Sequence, residues 1–181
     1  MNSTTILDIS HVTLRFGGVT ALEDVSFTVQ SGDLFAIIGP NGAGKTSIFN
    51  CINGVYKPQK GSILFEGREL VGESPVNVAR QGVGRTFQNL GLFMNLNLID
   101  NLLLGRHLQM KTGFFSGALW WGRAKNEEII NRQKIEAIID LLELQPHRYQ
   151  SVGLLPYGIQ KRVELGRALA MEPRILLLDE P

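Results

Sequence analysis

Residues 34–46 read Leu34-Phe35-Ala36-Ile37-Ile38-Gly39-Pro40-Asn41-Gly42-Ala43-Gly44-Lys45-Thr46. The unbroken apolar run Leu34 to Ile38 enters a loop with glycine at 39, 42 and 44, and Lys-Thr follows. An apolar run bounded by turns predicts a central buried strand. The loop matches G-x-x-x-x-G-K-[ST] at every fixed position, and a helical stretch, Thr46 to Asn53, comes next. Strand, glycine loop and helix in that order predict an α/β core that cradles phosphate groups. The residue types suit that chemistry. Glycines let the backbone wrap closely with its N–H groups inward. The helix N-terminus adds roughly half a positive charge. Lys45 brings a full charge to the β and γ phosphates, and the Thr46 hydroxyl can ligate Mg²⁺. The plainer reading is a glycine-rich turn with a surface lysine, and the register of strand, loop and helix argues against it.

The far end carries a second signal. Ile175 to Leu178 is apolar, and Asp179 and Glu180 follow at once. This predicts a second central strand that delivers carboxylates to the carboxyl edge of the sheet, where ligands of α/β folds bind. Asp179 is expected to hold Mg²⁺, directly or through water. Glu180 is expected to act as general base on the attacking water. Alone, such a pair would read as two solvated loop carboxylates; the phosphate loop upstream decides against that.

The rest of the chain bounds the answer. Of 181 residues, 44% are apolar and 19% charged, which excludes a disordered or fibrous protein. The net charge of +1 gives no support for binding nucleic acid through a basic surface. Glycine is the outlier, with 20 residues against a usual share of about 7%. Cys51 is the only cysteine, which excludes an intramolecular disulfide and fits a reducing cytoplasm. Met1 to Ser10 has no basic run before an apolar core, so no secretion signal is expected. The apolar runs fall far short of the about 20 residues that span a bilayer.

The start reads as β. Leu7, Ile9, Val12, Leu14 and Phe16 are the apolar positions of an edge-like first strand, and Gly17-Gly18 forms a turn. Val25, Phe27 and Val29 then alternate with polar residues as in a half-buried strand, and Ser31-Gly32 is another turn. From about 97 to 144 the pattern is helical, with Ile135, Ile138, Ile139 and Leu142 on one face. A helix after Gln160 carries Val163, Gly166 and Ala170 on one stripe, and Pro173 ends it. The order predicts an α/β core with a helical insertion.

These motifs, in this order, resemble the ATP-binding subunits of ABC transporters over nearly the whole chain. Phe16, in Arg-Phe-Gly-Gly, sits where the family stacks an aromatic ring on adenine. The phosphate loop follows. Gln88, in Arg-Thr-Phe-Gln, matches the glutamine that reaches the metal and γ-phosphate and faces the membrane partner. Leu155-Pro156-Tyr157-Gly158 and the following Gln160-Lys161-Arg162 match the signature segment, and Asp179-Glu180-Pro181 closes the series. The resemblance implies a P-loop NTPase of ABC type: a RecA-like α/β core with an N-terminal antiparallel β subdomain and a helical insertion. It implies a single domain over 1–181, β-rich to about residue 90, helical over about 91–165, and returning to the core over about 166–181.

The resemblance also implies ATP and Mg²⁺ as cofactors. Phe16, Gly39, Pro40, Asn41, Gly42, Ala43, Gly44, Lys45, Thr46 and Ser47 would bind nucleotide. Glu180 and Gln88 would be catalytic, and Thr46, Gln88 and Asp179 would serve the metal. Leu155 to Gly158 would act in trans in a head-to-tail pair with a second ATP-binding subunit, identical or not. Transmembrane permease subunits and, indirectly, a periplasmic solute-binding protein would be partners, at the cytoplasmic face of the inner membrane, with no nucleic acid. Gly105-Arg106-His107, Thr112 to Gly117 and the Pro-Tyr-Gly signature are similar to the branched-chain amino-acid importer type.

Two departures stand out. The common signature begins Leu-Ser-Gly-Gly, but here Pro156 holds the serine position and Tyr157 the first glycine. Proline has neither hydroxyl nor N–H, so contact in trans falls to Gly158, its neighbours and the following helix. The histidines, His11, His107 and His147, all precede Asp179. The family's γ-phosphate histidine, its dimer loop and the closing strands are therefore expected to be missing. These 181 residues alone are expected to fold poorly and turn over little ATP.

Rivals are few. A GTPase would need Asn-Lys-x-Asp, which is absent. A small-molecule kinase would not explain the signature segment, and a non-transport ABC ATPase usually carries two cassettes or a coiled-coil insertion. The ATPase of another transporter and a nucleotide-binding fragment without turnover are the alternatives. Phe114, Phe115, Trp120 and Trp121, near Lys111, Arg123 and Lys125, admit two readings: packing of an insertion loop, or contact with lipid headgroups or the membrane partner.

Overall fold

The apolar positions near the N-terminus change parity, from Leu7 and Ile9 to Val12 and Leu14, and the backbone changes with them. Strand β1 (Thr5–Phe16) has a register shift between Ile9 and Val12, where His11 adopts φ 54°. The bulge keeps all four apolar side chains on the buried face. A computed structural model of the protein describes residues 4–86, 91–106 and 121–179, without the side chains of 121–128. The chain divides into two compact units, Met1–Val83 and Gly84–Pro181.

In the first unit, β1 pairs antiparallel with β2 (Val19–Gln30) through a turn at 17–18. With β3 (Lys60–Phe65) and β4 (Arg68–Glu69) the sheet order is β2-β1-β3-β4. Strand β1 is thus interior, not the edge its sequence suggests. Its second neighbour, β3, lies far along the chain, beyond any local pattern, with Leu7 opposite Phe65 and Ile9 opposite Ile63. Strand β2 behaves as its alternation predicts: Val29 is buried, Val25 and Phe27 are half-buried, and Ser26 and Thr28 are exposed.

Leu34 to Ile38 does not form the expected central strand. The segment has no regular structure, and Leu34 and Ile38 are 100% and 94% exposed. Phe35 finds a partner in Phe27, with the rings stacked 5.0 Å apart. Apolar character alone does not make a strand; a neighbour must take up the backbone N–H and C=O groups. No described strand pairs with this segment. Helix α1 (Lys45–Ile52) follows the loop and buries Ile48, Cys51 and Ile52. Burial pushes the Cys51 thiol up to about 11, which leaves it an inert packing group. Helix α2 (Pro75–Arg80) starts at Ser74, whose hydroxyl accepts from the Asn77 N–H.

In the second unit, β5 (Val83–Arg85) and β6 (Ile175–Leu177) form a two-stranded sheet beside three helices: α3 (Leu98–Gly105), α4 (Trp121–Leu141) and α5 (Tyr157–Ala170). The predicted isoleucine stripe faces the core. Ile135 and Ile139 are buried with Leu98, Leu102, Val163 and Ala170, and Ile138 and Leu142 pack against them. A Cβ on Gly166 would lie 2.8 Å from Leu102 Cδ2, so this glycine sets the approach of α5 to α3. Helix α5 begins at Tyr157, earlier than the expected start after Gln160, because Pro156 supplies its N-cap and the Pro156 carbonyl accepts from the Ile159 and Gln160 N–H groups.

Asn101 is fully buried in α3. Its Oδ1 accepts from the Phe93 N–H at 2.9 Å, and its Nδ2 donates to the Phe93 and Asn97 carbonyls, each at 3.0 Å. It thereby fastens the segment before α3 onto the helix. Asn101→Leu removes these bonds from a fully buried position and leaves the Phe93 and Asn97 main-chain groups without this partner, so the variant is expected to lose about 1–3 kcal/mol of unfolding free energy in a denaturant titration. Gln88, Glu180, Phe114, Phe115 and Trp120 lie outside the described residues, as does the side chain of Trp121. No described helix is long and apolar enough to cross a membrane.

Candidate active site

The phosphate loop ends in a backbone conformation that only glycine tolerates well. Gly44 has φ 88° and forms the N-cap of α1. A Cβ there would lie 2.5 Å from the Ala21 carbonyl oxygen and 2.9 Å from Leu22 Cδ2. Gly44→Ala therefore combines backbone strain with a clash against rigid main chain. It is expected to cost about 2–3 kcal/mol and to weaken nucleotide binding, read by thermal melting and by ligand titration.

No side chain caps α1, and its first turn holds no acidic residue. That helix end therefore presents uncompensated N–H groups and a positive dipole end to an anion. The Lys45 Nζ donates to the Gly39 carbonyl at 2.6 Å and the Pro40 carbonyl at 2.8 Å, so the ammonium lies folded over its own loop. The Ala43 N–H donates to the Pro40 carbonyl at 3.2 Å and tightens the turn. Pro40, Asn41, Gly42, Ala43 and Thr46 are exposed, while Gly39, Gly44, Lys45 and Ser47 are half-buried. Phe16 is 47% exposed at the end of β1 and meets Tyr56 edge-on, with centroids 5.0 Å apart. One ring thus props another that is still open to a planar ligand. Tyr56 went unmarked in the sequence.

In the second unit, Asp179 stands two residues beyond β6 and is buried. Its Oδ2 accepts from Arg85 Nη2 at 2.8 Å, and the two side chains are only 7% and 6% exposed. The sequence does not single out Arg85, because its partner lies 94 positions away. In the signature segment Leu155 is buried, while Pro156, Tyr157 and Gly158 are exposed. Gln160 Nε2 donates to the carbonyls of Leu155 at 2.9 Å and Val152 at 3.2 Å, which fixes the turn ahead of α5. The Lys161 ammonium lies 6.0 Å from the Tyr157 ring centroid. Arg167, further along α5, donates to the Gly91 carbonyl, three residues past Gln88.

Phe16 and the phosphate loop thus lie in the first unit, and Asp179 and the signature segment in the second. Among the described residues no cluster of three or more His, Cys, Asp or Glu side chains could hold a metal by itself. The Thr46 hydroxyl and the Asp179 carboxylate are hard oxygen donors that suit Mg²⁺, a cation that keeps waters and phosphate oxygens in its shell.

A phosphate loop at a helix start and a strand-borne aspartate define a P-loop nucleotide-binding protein. The ABC transporter family matches residues 22–181, and the chain belongs to that family. It is 41% identical over 179 residues to LivG, the high-affinity branched-chain amino acid transport ATP-binding protein of Escherichia coli (strain K12); the match covers 97% of this chain and 69% of LivG. Among solved structures, a nucleotide-free ATP-binding cassette from an ABC transporter matches with TM-score 0.80 and 32% identity, over 98% of this chain and 70% of that one. A cassette in its ADP conformation matches with TM-score 0.79 and 31% identity, over 96% and 68%.

Proposed function

We propose that this protein is the ATP-binding, ATP-hydrolysing subunit of a membrane importer for branched-chain amino acids. The likeness to LivG across nearly the whole chain carries the reading. Phe16 would pack on adenine. Lys45 would swing from the Gly39 and Pro40 carbonyls to the β and γ phosphates, and the α1 N–H groups would receive the phosphate oxygens. Thr46 and Asp179, with Gln88, would hold Mg²⁺, which supplies charge neutralisation on the phosphates. Glu180 would take the proton of the attacking water as its oxygen bonds to the γ-phosphorus and the bridging oxygen leaves on ADP.

Two subunits would close head-to-tail on two nucleotides, the phosphate loop of each facing the signature helix of the other. With Pro156 in the serine position, Gly158 and the start of α5 would make the contact in trans. At the cytoplasmic face of the inner membrane this pair would pull on transmembrane permease subunits through the Gln88 region, and a periplasmic solute-binding protein would deliver the solute. ATP that favours the closed state couples the sites thermodynamically. Proteoliposomes holding this protein and its permease subunits, with the solute-binding protein outside, should take up leucine, isoleucine or valine only with ATP inside. ATP hydrolysis without such uptake would contradict the solute assignment.

A further inference from the structure

We infer that Arg85 is a positioning residue for Asp179, a resident counter-ion whose charge a divalent cation must displace or oppose to reach that carboxylate. The inference rests on the reading of Asp179 as the metal-serving acid. Three observations support it. The pair is short, 2.8 Å between Arg85 Nη2 and Asp179 Oδ2, and both side chains are almost wholly out of water. The backbone fixes its register: Arg85 ends β5, and the next residue, Thr86, donates its N–H to the Leu177 carbonyl at the end of β6, at 3.0 Å. Two adjoining strand ends, rather than two flexible surface chains, thus bring the charges together. Finally, a guanidinium does not lose its proton, so the positive charge beside Asp179 is permanent.

A buried carboxylate without a partner is costly. Arg85 meets that need when no cation is bound. The same permanent charge repels a divalent ion arriving at Asp179, and in a site of low dielectric this repulsion is not screened away. Metal would then bind well only when nucleotide phosphates add negative charge. Arg85 would thus make metal occupancy depend on nucleotide.

The test uses Mn²⁺ as the probe, titrated into the purified protein with and without a non-hydrolysable ATP analogue and read by electron paramagnetic resonance. Arg85→Gln should bind Mn²⁺ about tenfold more tightly than the parent without nucleotide, and should depend less on the analogue. Arg85→Lys, which keeps the charge, should stay near the parent. Equal or weaker Mn²⁺ binding by Arg85→Gln overturns the inference. Asp179→Asn separates this from the reading beneath it: if that variant binds Mn²⁺ with analogue as the parent does, the assignment of Asp179 itself fails.

Should Arg85→Gln fail to fold, ¹⁵N spectra of the parent's arginine side chains decide, with Arg85→Lys giving the assignment. The Arg85 Nη resonances should shift when Mg²⁺ joins the bound analogue and hold still when the analogue binds alone. No response to Mg²⁺ overturns the inference.

Discussion

Lys45→Ala is expected to bind ATP about a hundredfold more weakly than the parent. The ammonium is the one full positive charge in the phosphate loop, 39–46, and charge-assisted hydrogen bonds to phosphate are the strong kind. Losing them removes about 3 kcal/mol, or roughly two decades of affinity. Lys45 also bonds the Gly39 and Pro40 carbonyls, so its loss touches the loop as well as the phosphates. Those carbonyls border exposed residues and can turn to water instead, so the melting temperature should barely move. A fluorescent ATP analogue titrated into parent and variant checks the affinity, and a melt checks the fold. Parent-like affinity would place the phosphates elsewhere. Gly44→Ala should show the opposite signature, with stability and affinity falling together, because its Cβ would strike the Ala21 main chain.

Glu180→Gln is expected to keep ATP binding and lose about a thousandfold in turnover. Glutamine preserves shape and hydrogen-bonding reach but cannot take a proton, and a positioned general base contributes about 10²–10⁴-fold. A steady-state phosphate-release assay on the protein assembled with its permease subunits, at saturating Mg-ATP, measures the loss, and nucleotide titration confirms retained binding. A variant that turns over at the parent rate would remove Glu180 from the chemistry.

The two sheet-forming regions show how far the sequence alone could be read. Alternation in Val25, Phe27 and Val29 reports a solvent side and a core side, and burial follows it residue by residue. The isoleucine stripe of α4 was legible for the same reason: helix period and core face are local properties of the chain. The position of β1 in its sheet was not legible, since it depends on pairing with β3. Leu34 to Ile38 illustrates the same limit: its composition suits a strand, but strand formation requires a partner.

The site divides similarly. The phosphate loop could be found from residue types because close backbone approach and anion charge require glycine and lysine at fixed spacing. Arg85 could not, because its meaning lies in a partner 94 positions away. Asn101 is equally silent in sequence, an ordinary polar residue until its hydrogen bonds to Phe93 are seen.

On the proposed function, two copies of this ATP-binding fold close on nucleotide. Sedimentation velocity on purified Glu180→Gln, with and without Mg-ATP, reads that closure, because slowed turnover holds any closed state. The expected result is a monomer without nucleotide and a dimer with Mg-ATP, reversed when Lys45→Ala is added. A variant that binds Mg-ATP and still sediments as a monomer would rule out the nucleotide-closed pair.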